Sequence, residues 1–123
     1  MEGQFDQADL LSVLESMSHE AFDAFDFGLV KMDRGGQILA YNKYEAELSS
    51  NRQNEVLGKN FFTQVAPCTN NFMVAEKYKS DQTELDEFLD YVFTYRIKPT
   101  PVRLRLLTHK NSQHQYLAVQ ILK

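Results

Sequence analysis

The sequence predicts an α+β fold: a five-stranded antiparallel sheet flanked by helices, with an N-terminal helical cap. Three observations carry the prediction. Apolar residues recur at helical spacing near the start, a glycine-centred turn separates two β-type runs, and three further β-type runs follow a helical middle.

The elements follow in order. Over residues 9–17, Leu10, Leu11, Val13, Leu14 and Met17 mark one face of an amphipathic helix. A second short helix is expected over 20–25, with Ala21, Phe22, Ala24 and Phe25 as its apolar side. Residues 27–32 and 37–42 read as strands joined by Asp33-Arg34-Gly35-Gly36, a turn that uses glycine's access to positive φ. Residues 43–65 carry short helical patterns broken at Ser49-Ser50 and Gly58, and Pro67 ends a helix or bends the chain just before Cys68. A helix is expected over 72–80. Residues 88–97 are rich in aromatic and β-branched side chains, 102–108 alternate apolar with basic, 111–113 turn, and 115–122 close the sheet.

The 123 residues suit one domain over 1–123, with the cap as 1–25 and the core as 26–123. An apolar fraction of 43% is enough for one ordinary core. A net charge of −4 without a basic stripe argues against nucleic acid or an anionic membrane as partner. No run is apolar enough to span a bilayer, and the acidic start lacks a secretory pattern. The single cysteine excludes an internal disulfide and suits a reducing, cytoplasmic setting.

Two features could carry chemistry. Cys68 is either a small packed hydrophobe or a nucleophile and attachment point, the latter needing access and a stabilised thiolate. Tyr41 and Glu45 are four apart after the second strand, so a helical turn there puts both on one face. A phenol beside a carboxylic acid kept neutral by burial offers two donors to a buried oxyanion; the alternative is a strand-end tyrosine and a solvated glutamate. His19, His109 and His114 lack metal-ligand spacing. Phe88, Tyr91, Phe93 and Tyr95 are core-packing residues that can also line a pocket.

The segment Gly58-Lys59-Asn60-Phe61-Phe62-Thr63-Gln64-Val65-Ala66-Pro67-Cys68-Thr69 closely resembles the chromophore-attachment segment of photoactive yellow proteins. Ile38-Leu39-Ala40-Tyr41-Asn42 with Glu45 resembles that family's phenolate-binding segment, at the same distance from the cysteine. Asp90-Tyr91-Val92-Phe93-Thr94-Tyr95 with Pro99-Thr100 resembles its central strand and the following turn. The resemblance covers nearly the whole chain.

It implies a PAS-like fold and trans-p-coumaric acid (4-hydroxycinnamic acid) held as a thioester on Cys68. It also implies that Tyr41 and a protonated Glu45 donate to the phenolate oxygen, that Ser49 supports Tyr41, and that the Cys68 N–H holds the thioester carbonyl. Val65, Ala66, Thr69, Phe93 and Tyr95 would line the pocket. The function implied is a non-enzymatic blue-light photoreceptor acting on a downstream signalling protein, as a monomer or weak dimer. Trans-to-cis isomerisation, proton transfer from Glu45 and partial unfolding of a cap joined to the sheet only by packing would make the signal. Asn51 stands where the family usually has a lid arginine, Arg52 comes one later, and Ile97 replaces a methionine linked to fast recovery. The loop after Cys68 is also shorter than in the best-known members. Two other classes stay open: a PAS-like module that senses another small ligand or docks a partner, and an enzyme using Tyr41 and Glu45 as an oxyanion hole.

Overall fold

The computed structural model describes residues 4–79, 83–95 and 98–122. Its strands are β1 (Gly28–Asp33), β2 (Ile38–Tyr41), β3 (Glu84–Tyr95), β4 (Lys98–His109) and β5 (His114–Ile121). They form a five-stranded sheet in the order β2-β1-β5-β4-β3, with every neighbouring pair antiparallel. Helices α1 (Leu10–Ser16), α2 (Lys43–Ser49) and α3 (Gln53–Val56) are joined by 3-10 segments at Glu20–Ala24, Pro67–Thr69 and Ala75–Lys79 and a π-turn at Phe61–Val65.

The expected α+β architecture is present, and three boundaries differ for physical reasons. The helix expected over 72–80 is a shorter 3-10 segment, because the Asn71 side chain accepts the N–H groups of Met73 and Val74 and holds that stretch in a turn. β3 starts earlier than expected, its acidic residues being answered across the strand: Asp90 lies opposite Arg103 and pairs with it, and Asp86 pairs with Arg105. β4 also starts earlier and takes in Pro99 and Pro101. The Pro101 carbonyl accepts from Leu122 N–H on the β5 side, where pairing ends at Val102↔Ile121. A missing N–H on that side costs no ladder bond.

The sheet is covered on both faces, so its central strands are buried nearly throughout. Alternation sorts their side chains. Val30, Met32, Leu104, Leu106, Leu117 and Val119 face the helical middle, with Phe61 and Phe93. Leu29, Leu107, Tyr116 and Ala118 face the cap, against Leu10, Leu14 and Phe22. On β2, Ile38 and Ala40 fall on opposite faces although they are two apart. A register shift opposite Lys31 and Met32 leaves Leu39 as the extra residue of a bulge. That bulge is what brings Tyr41 to the same face as Ile38.

The cap is tied by more than packing, which corrects the expectation that packing alone holds it. Arg105 is 2% exposed, pairs with Asp86 at 2.8 Å, and donates to the carbonyls of Phe5 at 2.9 Å and Gln7 at 2.7 Å. Its guanidinium lies over the Phe88 ring. On α1, Glu15 accepts from Tyr116 Oη at 2.6 Å, from the Ser112 hydroxyl and from His114. Asn42 donates to the carbonyls of Phe22 at 3.0 Å and Phe27 at 2.9 Å.

Candidate functional site

Asn42 caps α2, its side chain accepting the N–H of Glu45 at 3.0 Å and of Leu29 at 2.9 Å. An Asn followed three residues later by Glu is a capping-box pattern, in which the Glu carboxyl usually returns to the cap N–H. Here the Asn42 N–H instead donates to the Leu29 carbonyl on β1. The Glu45 carboxyl is therefore not spent on the cap and turns toward Tyr41. Glu45 is 1% exposed and Tyr41 3%, and Tyr41 Oη stands 3.5 Å from Glu45 Oε2. Gly28 makes room for this carboxyl: a Cβ there would overlap Glu45 Oε1. No local pattern marks Gly28, because its constraint comes from a residue on another element.

Ser49, one turn further along α2, donates to the Glu45 carbonyl at 2.8 Å and lies 2.8 Å from Tyr41 Oη. Asn51 Nδ2 donates to Ser49 Oγ at 3.1 Å and to Tyr41 Oη at 3.3 Å. Burial, then the neighbouring Glu45, raise the Tyr41 pKa well above the usual phenol range, while the hydrogen bonds shared with Ser49 and Asn51 act in the opposite sense. Tyr41 is a protonated donor at any physiological pH.

These groups line a cavity of about 300 Å³, the lower end of small-molecule sites. Phe61 and Phe93 supply apolar wall, and Val65, Ala66, Pro67 and Cys68 also line it. Cys68 is exposed, within the 3-10 segment that Pro67 opens. Its carbonyl accepts from Tyr91 Oη at 2.5 Å and Asn71 Nδ2 at 3.0 Å, which ties the backbone at Cys68 to β3 and to the following loop. A wider groove of about 950 Å³ runs past Asp26, Asp90 and Arg103, whereas Tyr41, Glu45 and Cys68 line the smaller cavity. The Tyr41 hydroxyl and the Glu45 carboxyl oxygen stand 3.5 Å apart, close enough for both to approach one guest atom. The cavity can thus hold an elongated guest with an oxyanion at one end and a carbon electrophile within reach of the thiol.

Of the expected residues, Tyr41, Glu45, Ser49, Val65, Ala66, Cys68 and Phe93 meet at this cavity. Thr69 is not among its lining residues; it is 0% exposed and donates to the Ala66 carbonyl at 2.7 Å, locking the turn that presents Cys68. Ile97 lies outside the described residues, as does the side chain of Tyr95. Arg52 is exposed at the start of α3 and does not line the cavity, whereas Asn51 does. Asn42, Gly28 and Asn51 were not singled out as site residues by sequence; only the capping pattern at Asn42 offered a local signal.

The photoactive yellow protein of Rhodothalassium salexigens is 33% identical over 105 residues, 84% of either chain. The chain belongs to the photoactive yellow protein family. The photoactive yellow protein of Halochromatium salexigens is also 33% identical, over 104 residues and 83% of either chain. The photoactive yellow protein domain of the sensor histidine kinase Ppr from Rhodospirillum centenum superposes with a TM-score of 0.79 at 32% identity, covering 89% of this chain and 97% of that one. A PAS domain of an HTR-like protein from Haloarcula marismortui has a TM-score of 0.68 at 13% identity, over 90% of this chain and 99% of that one, a likeness of fold alone. A scan of protein-family models gives no match. The photoactive yellow protein fold is thus the PAS-like α+β fold expected from sequence. Among the described residues no helix is long and apolar enough to cross a membrane.

Proposed function

We propose that the chain is a blue-light photoreceptor holding trans-p-coumaric acid as a thioester on Cys68. The supporting observation is that Tyr41, Glu45, Ser49, Asn51 and Cys68 line one cavity. When bound, the group supplies blue absorption and a trans-to-cis isomerisation. Tyr41 Oη and a protonated Glu45 donate to its phenolate oxygen, and the Cys68 N–H holds the carbonyl. A buried anion is costly unless hydrogen-bonded, and two O–H donors meet that need. Burial of Glu45 at 1% exposure disfavours its charged form in the dark.

After illumination, Glu45 would pass its carboxyl proton to the guest's phenolate oxygen, leaving a neutral phenol and a carboxylate. The carboxylate left behind would sit beside Gly28 and Tyr41 in a buried site, where taking a charge out of water costs several kcal/mol. That is enough to move a two-state equilibrium. Asn42 is bonded both to the Glu45 N–H and to the carbonyls of Phe22 and Phe27, so a shift at the first turn of α2 acts on the cap directly. Partial release of residues 1–25 from a core of 26–123 would present the signal to a downstream protein in the cytoplasm.

The test is an absorption spectrum of the apoprotein before and after p-coumaric anhydride, repeated with Cys68→Ala. A blue-absorbing band that needs Cys68 and bleaches reversibly in blue light supports the function. No band, or one indifferent to Cys68, moves the function to a PAS-type module sensing another ligand.

A further inference from the structure

Asn51 is placed by an unusual backbone. Ser50 closes α2 in the left-handed region at φ 62°, and the Asn51 N–H returns to the Ala46 carbonyl at 3.1 Å. The Asn51 amide thereby reaches the cavity, 3.3 Å from Tyr41 Oη and 3.1 Å from Ser49 Oγ.

Ser49 has one hydroxyl proton, which either the Glu45 carbonyl or Tyr41 Oη, each at 2.8 Å, can accept. With the Ser49 proton on the carbonyl, the contact between Ser49 Oγ and Tyr41 Oη is filled by the Tyr41 proton, whose other acceptor, Glu45 Oε2, is farther at 3.5 Å. An oxyanion in the cavity claims that proton. The two hydroxyl oxygens would then face each other with lone pairs only, a repulsive contact unless a third donor bridges them. Asn51 Nδ2 carries two N–H groups and is within hydrogen-bond distance of both oxygens. A bond received at Oη also polarises the O–H and strengthens what it donates.

Building on the Cys68-linked phenol proposed above, we propose that Asn51 is a positioning residue that turns the Tyr41 proton into the cavity and so favours an ionised over a neutral guest phenol. It does so without displacing Ser49 from the Glu45 carbonyl.

The experiment is a dark pH titration of the absorption band in the loaded parent chain, in Asn51→Leu and in the smaller Asn51→Ala, with circular dichroism to confirm folding. Loss of one such bond should leave the phenol about fivefold less ionised, raising the midpoint by about 0.7 pH unit in both variants. In a Tyr41→Phe background the same substitutions should leave the midpoint where it is. Unmoved midpoints with a Cys68-dependent band present overturn the proposal and leave the photoreceptor function standing. A full shift that persists without the Tyr41 hydroxyl overturns the positioning role, because Asn51 would then act on the guest itself. A parent chain that forms no Cys68-dependent band overturns the function and the proposal together.

Discussion

At residue 45 one side chain answers to three neighbours. Its backbone is capped by Asn42, its carboxyl faces Tyr41, and its Oε1 rests where a side chain on residue 28 would be. Gly28→Ala should therefore lower stability by about 1–3 kcal/mol, the usual cost of overpacking, read as a fall in the urea midpoint. Adding Glu45→Ala should relieve most of that loss; equal losses in both backgrounds would separate the two residues energetically. Glu45→Gln keeps a donor but has no proton to release. The loaded variant should absorb further to the red, and light-minus-dark infrared spectra should lack the carboxyl signal. A photocycle identical to the parent's would remove Glu45 from the proton donor role. The closeness of Tyr41 and Glu45 was legible from their spacing, but not its geometry: a shared helix was expected, whereas Tyr41 ends β2 and Glu45 lies in the first turn of α2. The Asn51 and Gly28 constraints were not legible, since each depends on a group supplied by a different element.

Among the elements, α1 has the most testable attachment. Burial alone would raise the Glu15 pKa, but hydrogen bonds from Ser112, Tyr116 and His114 outweigh it and hold the carboxyl below its usual 4.5. A carboxyl that ionises more readily folded than unfolded stabilises the fold above the unfolded value and loses that contribution as pH falls through the folded one. His19 is held below its usual 6.5, by burial first and then by Lys31 and His114. Its proton is taken up more easily in the unfolded chain, so acidification from 6.5 downward also weakens the fold. Amide exchange over Leu10–Ser16 should accelerate as pH falls below about 6.5, and more steeply below about 4.5, after correction for intrinsic rates. Glu15→Gln should flatten the lower part; a protection profile level from neutral to acid would contradict both assignments. Tyr116→Phe should loosen the same segment by about 1 kcal/mol, one hydrogen bond's net value.

For the molecule as a whole, the sheet serves two cores, and its outer face is apolar because the cap covers it. Leu10 and Leu14 are 0% exposed, and each such side chain contributes about 1.5–3 kcal/mol by burial. Removing residues 1–25 should bare Leu29, Leu107 and Tyr116 and drive self-association, visible as a concentration-dependent elution volume in gel filtration. A monomeric truncated chain would show that the cap contributes little cover.

The sequence by itself determined the element order, the hairpin and the amphipathic α1. All of these rest on spacing within one short segment, where backbone geometry leaves few choices. Tertiary structure alone decided that a bulge at Leu39 turns Tyr41 toward the helical middle and that Thr69 locks a turn rather than lining the cavity. It also decided that Ser50 aims Asn51 at Tyr41 and that Arg105 clasps the cap across nearly the whole chain. Each of these needs a partner distant in sequence. Whether a polar or small residue is a ligand, a brace or a gap depends on which partner the folded chain brings against it.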